Sequence, residues 1–261
     1  MGRAHREQNR RAWNEVTPIH LSYRKDDIRF FRSGGSTLPA LDLDALGDLR
    51  GRRVLHLQCN SGQDTLSLAR CGAVVTGVDI SDEAIESARA LSTATRIAAE
   101  FVRADVMDWS NGEREAFDIV YATRGVICWI DDLRSWMQTV RNALRVGGFL
   151  YLMDSHPLSE AIDPGFQVTG AYFESEQPER RQGLDYIRGE FIGTQPNHQF
   201  RWSLGAIVTA ATTAGLTLRW LQEHPFDFFR RFERFHEREG WFVPPDAAPR
   251  VPLSFSLRAD R

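Results

Sequence analysis

The residues best spaced for chemistry are two aspartates and a polar turn. Val54-Leu55-His56-Leu57 runs into Gln58-Cys59-Asn60-Ser61-Gly62-Gln63, and Asp79 closes the next apolar run, Gly77-Val78-Asp79-Ile80. An acid about 20 residues beyond a strand-to-helix turn is placed to accept hydrogen bonds from both hydroxyls of a ribose. Asp105 closes a third run, Arg103-Ala104-Asp105-Val106. Alone it reads equally well as a helix cap, but its register with Asp79 favours a ligand contact. Histidine is the side chain whose ordinary pKa suits proton transfer near neutrality. Three of the seven histidines are candidates: His156 in Asp154-Ser155-His156-Pro157, His20 near the N-terminus, and His224 after a later strand. His156 is favoured as a base, with Asp154 either fixing its ring or serving as base itself. Phe226-Asp227-Phe228-Phe229-Arg230-Arg231-Phe232-Glu233-Arg234-Phe235 is aromatic and basic. It reads either as an amphipathic cover with arginines in solvent or paired to Glu233 and Glu237, or as a pocket wall. An inward arginine, Arg230 or Arg124, would favour an acidic ligand. Trp129 reads either as ordinary core or as an aromatic wall.

Strands and helices alternate around these residues. Arg53 to Leu57 is an apolar strand entering the turn Cys59 to Gln63, followed by a helix with Leu66, Leu68, Ala69 and Cys71 that stops at Gly72. Ala73 to Val78 is the second strand, and Ser81 caps a helix carrying Ala84, Ile85, Ala88 and Leu91. Glu100 to Arg103 and Phe117 to Ala122 are the third and fourth strands. Leu133 to Leu144 is an amphipathic helix expected to stop at Gly147-Gly148 before the strand Phe149 to Met153. Such alternation implies a parallel sheet covered on both faces, with ligands at the carboxyl ends of its strands. Ser155 to Arg201 breaks the rhythm and reads as an insertion, a hairpin or lid with alternating pieces such as Tyr186 to Ile192. Trp202 to Ala214 is a helix, Leu216 to Leu221 a strand, and Pro252 to Ala259 a closing strand with one buried face. One domain is expected: a helical lid over 1–50, the ligand-binding core over 51–154, the insertion over 155–201 and the end of the sheet over 202–261, interrupted by the aromatic stretch 224–250.

In register, Val54, Leu55, Leu57, Cys59 and Gly62 resemble the first motif of class I S-adenosylmethionine-dependent methyltransferases, V-L-D-L-G-C-G-x-G. Phe117 to Val126 resembles the fourth motif, and Asn142 to Gly148 the L-K-P-G-G turn. The resemblance covers roughly the central half of the chain and extends to a bacterial group with Leu-His-Leu-Gln-Cys in that first motif. Trp13 to His20, as Trp-Asn-x-x-Thr-Pro-Ile-His, and the aromatic stretch His224 to Phe242 belong to the same pattern. It implies a Rossmann-like α/β fold: a seven-stranded, mostly parallel sheet with one antiparallel C-terminal strand and helices on both faces. It also implies S-adenosyl-L-methionine as cofactor, S-adenosyl-L-homocysteine as product, and methyl transfer to an O, N or C nucleophile of a small molecule, in the manner of secondary metabolism. The cofactor would meet His56, Gln58, Cys59, Asn60, Gly62, Asp79, Ile80, Asp105, Val106 and Thr123, with Asp105 beside the adenine amino group. The acceptor would meet Trp13, Arg124, Trp129 and Arg230. His156, Asp154 and His20 would serve catalysis. His56 stands where the family commonly places an acid that orients the methionine moiety, and Gln58 and Asn60 stand where it places glycines. Asn tolerates a left-handed backbone, whereas Gln58 narrows the space for a ligand.

The bulk numbers exclude several classes. With 261 residues, 42% of them apolar, and a net charge of −3, the chain has material for one large core and no positive field to attract nucleic acid. Met1 to Arg11 lacks the apolar core of a signal peptide, and no stretch approaches the roughly 20 apolar residues of a membrane span. A cytoplasmic protein with reduced thiols, monomeric or homodimeric, is expected. Cys59, Cys71 and Cys128 show no metal-ligand spacing. A dinucleotide oxidoreductase shares the first two elements, but Gln58 and the missing glycines would crowd a pyrophosphate. Another use of the sulfonium, or a noncatalytic cofactor-binding module, remain the rival readings.

Overall fold

Alternate residues of each strand face opposite layers, and that alternation decides where polar side chains collect. The computed structural model describes residues 2–24, 26–109, 115–175, 177–183 and 193–261. In chain order it contains α1 (Gly2–Ser22), α2 (Asp27–Arg32), α3 (Ala40–Leu46), β1 (Arg53–Leu57), α4 (Gln63–Arg70), β2 (Val74–Asp79), α5 (Asp82–Thr95), β3 (Glu100–Arg103) and β4 (Phe117–Thr123). A 3-10 turn at Ile127–Trp129, α6 (Leu133–Ala143), β5 (Leu144–Ser155), β6 (Glu179–Gln182), β7 (Pro196–Gln199) and α7 (Leu204–Thr213) follow. The chain closes with β8 (Thr217–His224), β9 (His236–Arg238), β10 (Trp241–Val243) and β11 (Ser254–Asp260). Seven strands form one sheet in the order β3-β2-β1-β4-β5-β11-β8. The first five are parallel, and β11 runs antiparallel to both its neighbours. This is the expected Rossmann-like architecture.

Leu55 and Leu57 of β1, Val120 and Ala122 of β4, and Leu150 and Leu152 of β5 pack beneath α6 and α7, against Trp136, Met137, Val140 and Ile207. The alternate set, Val54, Ile119, Tyr121, Phe149, Tyr151 and Met153, faces α3 and α4 through Leu46, Leu49 and Leu68. Burying each such aliphatic side chain stabilises the fold by about 1.5–3 kcal/mol. The order of the strands reverses beside β1, where β2 lies on one side and β4 on the other. The loops leaving β1 and β4 therefore part and open a crevice at their carboxyl ends.

Two local expectations change. α6 ends at Ala143, and the chain turns directly into β5, so Gly147-Gly148 interrupts a strand rather than stopping a helix. Phe117 pairs with Leu144 and Ile119 with Phe149, a register shift that bulges β5. A Cβ on Gly148 would lie 2.8 Å from the Asp118 carbonyl oxygen, so the close approach of β4 requires glycine there. Within 155–201 the described strands are the antiparallel pair β6 and β7, whereas Tyr186 to Ile192 lies outside the described residues. The aromatic stretch contains a second small pair, β9 and β10. No helix among the described residues is long and apolar enough to cross a membrane.

Candidate active site

The turn after β1 keeps a glycine-like backbone with few glycines. Gln58 (φ 54°), Asn60 (φ 48°) and Gly62 (φ 82°) all lie in the left-handed region. That conformation costs a non-glycine residue about 1–2 kcal/mol, and local bonds offset it. The Asn60 carboxamide oxygen accepts from the Ser61 backbone N–H at 2.6 Å, and the Asn60 N–H donates to Asp79 Oδ2 at 2.8 Å. Gln58 Nε2 donates to the Val126 carbonyl at 2.8 Å, tying the β1 loop to the β4 loop. Gly62 is required for space as well: a Cβ there would lie 2.7 Å from the Phe101 ring.

A cavity of about 1310 Å³ opens at the carboxyl ends of the strands. Asp79 lies on its wall, nearly buried, with Oδ1 taking the Ser81 N–H at 2.8 Å and Oδ2 the Asn60 N–H. Each oxygen keeps a lone pair for a further donor, and burial pushes this carboxyl above its ordinary value. Ile80, Asp105 and Val106 line the same wall. Asp105 Oδ1 accepts from the Met107 N–H at 3.0 Å, while Oδ2 accepts from Arg6 of α1 at 2.7 Å. Arg6 also reaches Asp131 at 2.6 Å. α1 is fastened further at Asn14, whose Oδ1 accepts from Ser81 Oγ and the Asp82 N–H. It crosses the crevice edge with Trp13 packed edge-on against Trp129, 5.4 Å between ring centres.

Beneath the β1 turn, strand register builds a polar ladder. His56 pairs with Tyr121 across β1 and β4, and Tyr121 with Tyr151 across β4 and β5. All three rings face α3, which inserts the fully buried Asp42 to accept from both tyrosine hydroxyls, Tyr151 at 2.8 Å. Arg124, in a left-handed conformation (φ 64°) after β4, donates to Asp42 at 3.0 Å, to Asp64 and to the Tyr121 hydroxyl. Asp64, in the first turn of α4, also accepts from Thr37 at 2.5 Å. Its carboxyl lies below the ordinary value because the attraction of Arg124 and the hydrogen bonds from Thr37 and Arg124 outweigh burial. His56 shares a 2.8 Å hydrogen bond with Thr65, and burial lowers its pKa to about 4. Gln58 Oε1 and Thr123 Oγ1 are buried, border the cavity and have no partner among the described residues.

Residues 54–148 match the family model described as a methyltransferase domain. A ubiquinone biosynthesis O-methyltransferase of Shewanella is 29% identical over 105 residues, 40% of this chain and 44% of that protein. An uncharacterised methyltransferase of Synechocystis is 32% identical over 138 residues, 52% of this chain and 63% of that protein. The chain spans about half the length of the curated relatives it matches. In fold it is similar to an S-adenosylmethionine-dependent methyltransferase of Mesorhizobium loti, with a TM-score of 0.58 and 19% identity over 88% of this chain and all of the other. Residues 54–148 are similar to methyltransferase domains, and the sheet around them has a methyltransferase fold.

The fold brings most of the expected site residues to one cavity: His56, Gln58, Cys59, Asn60, Asp79, Ile80, Asp105, Val106, Thr123, Arg124, Trp129 and Asp154, joined by Trp13 from α1. Gly62 supports the turn from below, against Phe101. Cys59 is buried, and burial raises its thiol well above the ordinary pKa. Asp154 accepts four backbone N–H bonds, from Gly125, Val126, Ile127 and Ser155, at 2.7–3.0 Å. Burial pushes this carboxyl up to about 6 against the pull of those donors. It anchors the loop after β4.

Four expected residues do not border the cavity: Gly62, already placed beneath the turn, and His156, His20 and Arg230. His156 is buried beside β11: Nδ1 accepts from the Leu158 N–H at 3.1 Å, and Nε2 lies 2.9 Å from Glu223 Oε1. His20 is buried with its ring edge-on to Trp13. Arg230 is exposed, with its guanidinium 5.7 Å from the centre of the Phe242 ring. Its neighbour Arg231 turns inward instead, pairing with Asp227 and Glu160 at 2.7 Å each and donating to Ser155 Oγ at 2.9 Å. Those partners replace the Glu233 and Glu237 expected from proximity. His224 shares a 2.8 Å bond with Ser256 and stacks on Phe226.

Asp64, Arg6, Glu160 and Arg231 also line the cavity, with Asp42, Tyr121 and Tyr151 tied to Arg124 beneath it, and the sequence named none of the seven as a site residue. Asp64 had a signal, standing two residues after Gly62 in the first turn of a helix. Asp42 had none, because it acts through strands more than 70 residues away.

Proposed function

We propose that this chain binds S-adenosylmethionine across the carboxyl ends of β1, β2 and β4 and methylates a small aromatic molecule. One observation carries the reading. A single cavity joins a ribose-ready carboxylate, Asp79, and two unpartnered buried acceptors, Gln58 Oε1 and Thr123 Oγ1, to an aromatic lining that includes Trp129, Phe228, Phe229 and Phe232. These residues fit the cofactor: Asp79 would receive the ribose hydroxyls, Ile80 and Val106 would offer apolar contact to the adenine, and Asp105 would accept from its amino group. When bound, the sulfonium supplies an activated methyl group. The chain's own part is then positioning, because holding a nucleophile in line at near-attack distance replaces an entropically costly encounter. Trp13 and Trp129 close the crevice edge, and the phenylalanines of 224–250 offer flat apolar faces to a ring while excluding water.

The curated relatives named O-methyltransferases favour an oxygen nucleophile on that ring. The placements of His156 and His20 do not support them as bases, and Asp154 is engaged by its four donors. The reading takes the chain as a cytoplasmic enzyme with no nucleic-acid or membrane partner, monomeric or homodimeric, in keeping with its net charge of −3.

A panel of phenols offered with methyl-labelled cofactor tests it. Labelled phenol ether together with S-adenosylhomocysteine is expected. Release of methylthioadenosine, or binding without turnover on any acceptor, would remove methylation in favour of another use of the sulfonium or a noncatalytic module.

A further inference from the structure

The methionine end of the site departs most from the family pattern, and the inference drawn from it rests on the proposed binding of S-adenosylmethionine. His56 occupies the position where an acid commonly orients the methionine moiety. It is buried and hydrogen-bonded to Thr65, and as a neutral imidazole it brings no negative charge to a ligand ammonium. We propose that Asp64, Gln58 Oε1 and Thr123 Oγ1 together receive that ammonium, so that the negative charge has moved from β1 to the first turn of α4.

Charge, valence and burial agree. Two carboxylates, Asp42 and Asp64, surround one guanidinium, Arg124. The cluster therefore holds one negative charge in excess, and a buried excess charge is costly until a cation meets it. Among the described residues, Arg24 also borders this part of the cavity, but it turns to Asp27 at 3.9 Å. Asp42 is fully enclosed, whereas Asp64 borders the cavity, so the excess is accessible to a ligand at Asp64. The two neutral acceptors are the buried side-chain oxygens left unused there. Thr123 is 6% exposed with Oγ1 unpartnered, and buried polar atoms are rarely left so. Gln58 donates through Nε2 to Val126, which fixes its amide and leaves Oε1 as an acceptor only. An ammonium has three N–H donors, matching these three acceptors.

Isothermal titration of the full chain with S-adenosylhomocysteine, and with its analogue carrying hydrogen in place of the α-amino group, tests the assignment. The wild type is expected to prefer the amino ligand by roughly 10- to 100-fold, as charge-assisted hydrogen bonds require. Asp64→Asn should erase most of that preference. Thr123→Val should reduce it while leaving thermal unfolding unchanged or raised, since the hydroxyl it removes has no protein partner. If Asp64→Asn does not fold, Thr123→Val decides alone. An undiminished preference in the folded variants overturns the assignment while leaving cofactor binding intact. Failure of the wild type to bind either ligand overturns it together with the cofactor reading.

Discussion

The two halves of the cavity are built on different principles. The cofactor half hangs on strand ends and loops of few residues: β1 delivers Gln58 and Asn60, β2 Asp79, and β4 Thr123 and Arg124, each held by parallel register. The half proposed to hold the acceptor is assembled from separate segments, α1, β7 and the stretch 224–250, which are tied in by long-range contacts such as Asn9 to His198 and Arg231 to Glu160. Short, register-fixed elements leave little freedom for the residues they present. Segments joined through side-chain ion pairs can vary more freely, as loops on a rigid scaffold do.

The largest effect should come from breaking the buried cluster that supports the cofactor half. Arg124→Met leaves Asp42 enclosed without its cation and is expected to cost about 3–5 kcal/mol of unfolding free energy in denaturant titration. A change below 1 kcal/mol would mean that the cluster is not coupled to the fold. Next, Asp79→Ala should weaken S-adenosylhomocysteine binding by about 2–3 kcal/mol, or roughly 100-fold, through lost ribose hydrogen bonds. Equal affinity by calorimetry would remove Asp79 from the site.

Protonation probes the same half more gently. His56 titrates at about 4 when folded, below the ordinary histidine value, so the unfolded chain binds the proton more readily. The contribution of its neutral form is complete above about pH 6.5 and is lost as pH falls towards 4, by an amount of order 1–3 kcal/mol. Chemical denaturation of the wild type and of His56→Gln across that window should show stability falling more steeply with acid in the wild type than in the variant, where the other buried groups still titrate. The smallest effect belongs to the outer face of the acceptor half. Arg230→Ala should change stability by no more than about 0.5 kcal/mol and leave turnover at the wild-type level. A large fall in turnover would return Arg230 to the acceptor site in place of Arg231.

Much of the cofactor half is legible along the chain because local patterns encode it. Apolar runs that alternate with capped helices mark a parallel sheet, and the acids closing two of those runs lie at strand ends whatever the rest of the molecule does. The backbone of the β1 turn is only half legible: Asn60 takes the left-handed conformation its type tolerates, whereas Gln58 adopts one against its own preference. The ladder His56–Tyr121–Tyr151 is implicit in the strand register, yet its meaning depends on Asp42, which only the docking of α3 supplies.

By itself the sequence determined the alternation of strands and helices that implies a parallel sheet, the carboxylate at Asp79 and the motifs that carry the methyltransferase resemblance, because each is written in local patterns. Tertiary structure alone decided which arginine of the aromatic stretch turns inward, that His156 points to Glu223 rather than the cavity, and that Asp42 and Asp64 share Arg124. Those outcomes depend on how segments far apart in the chain pack and neutralise one another. A buried charge takes whichever partner the fold brings within reach, and nothing in the spacing of its neighbours records that partner.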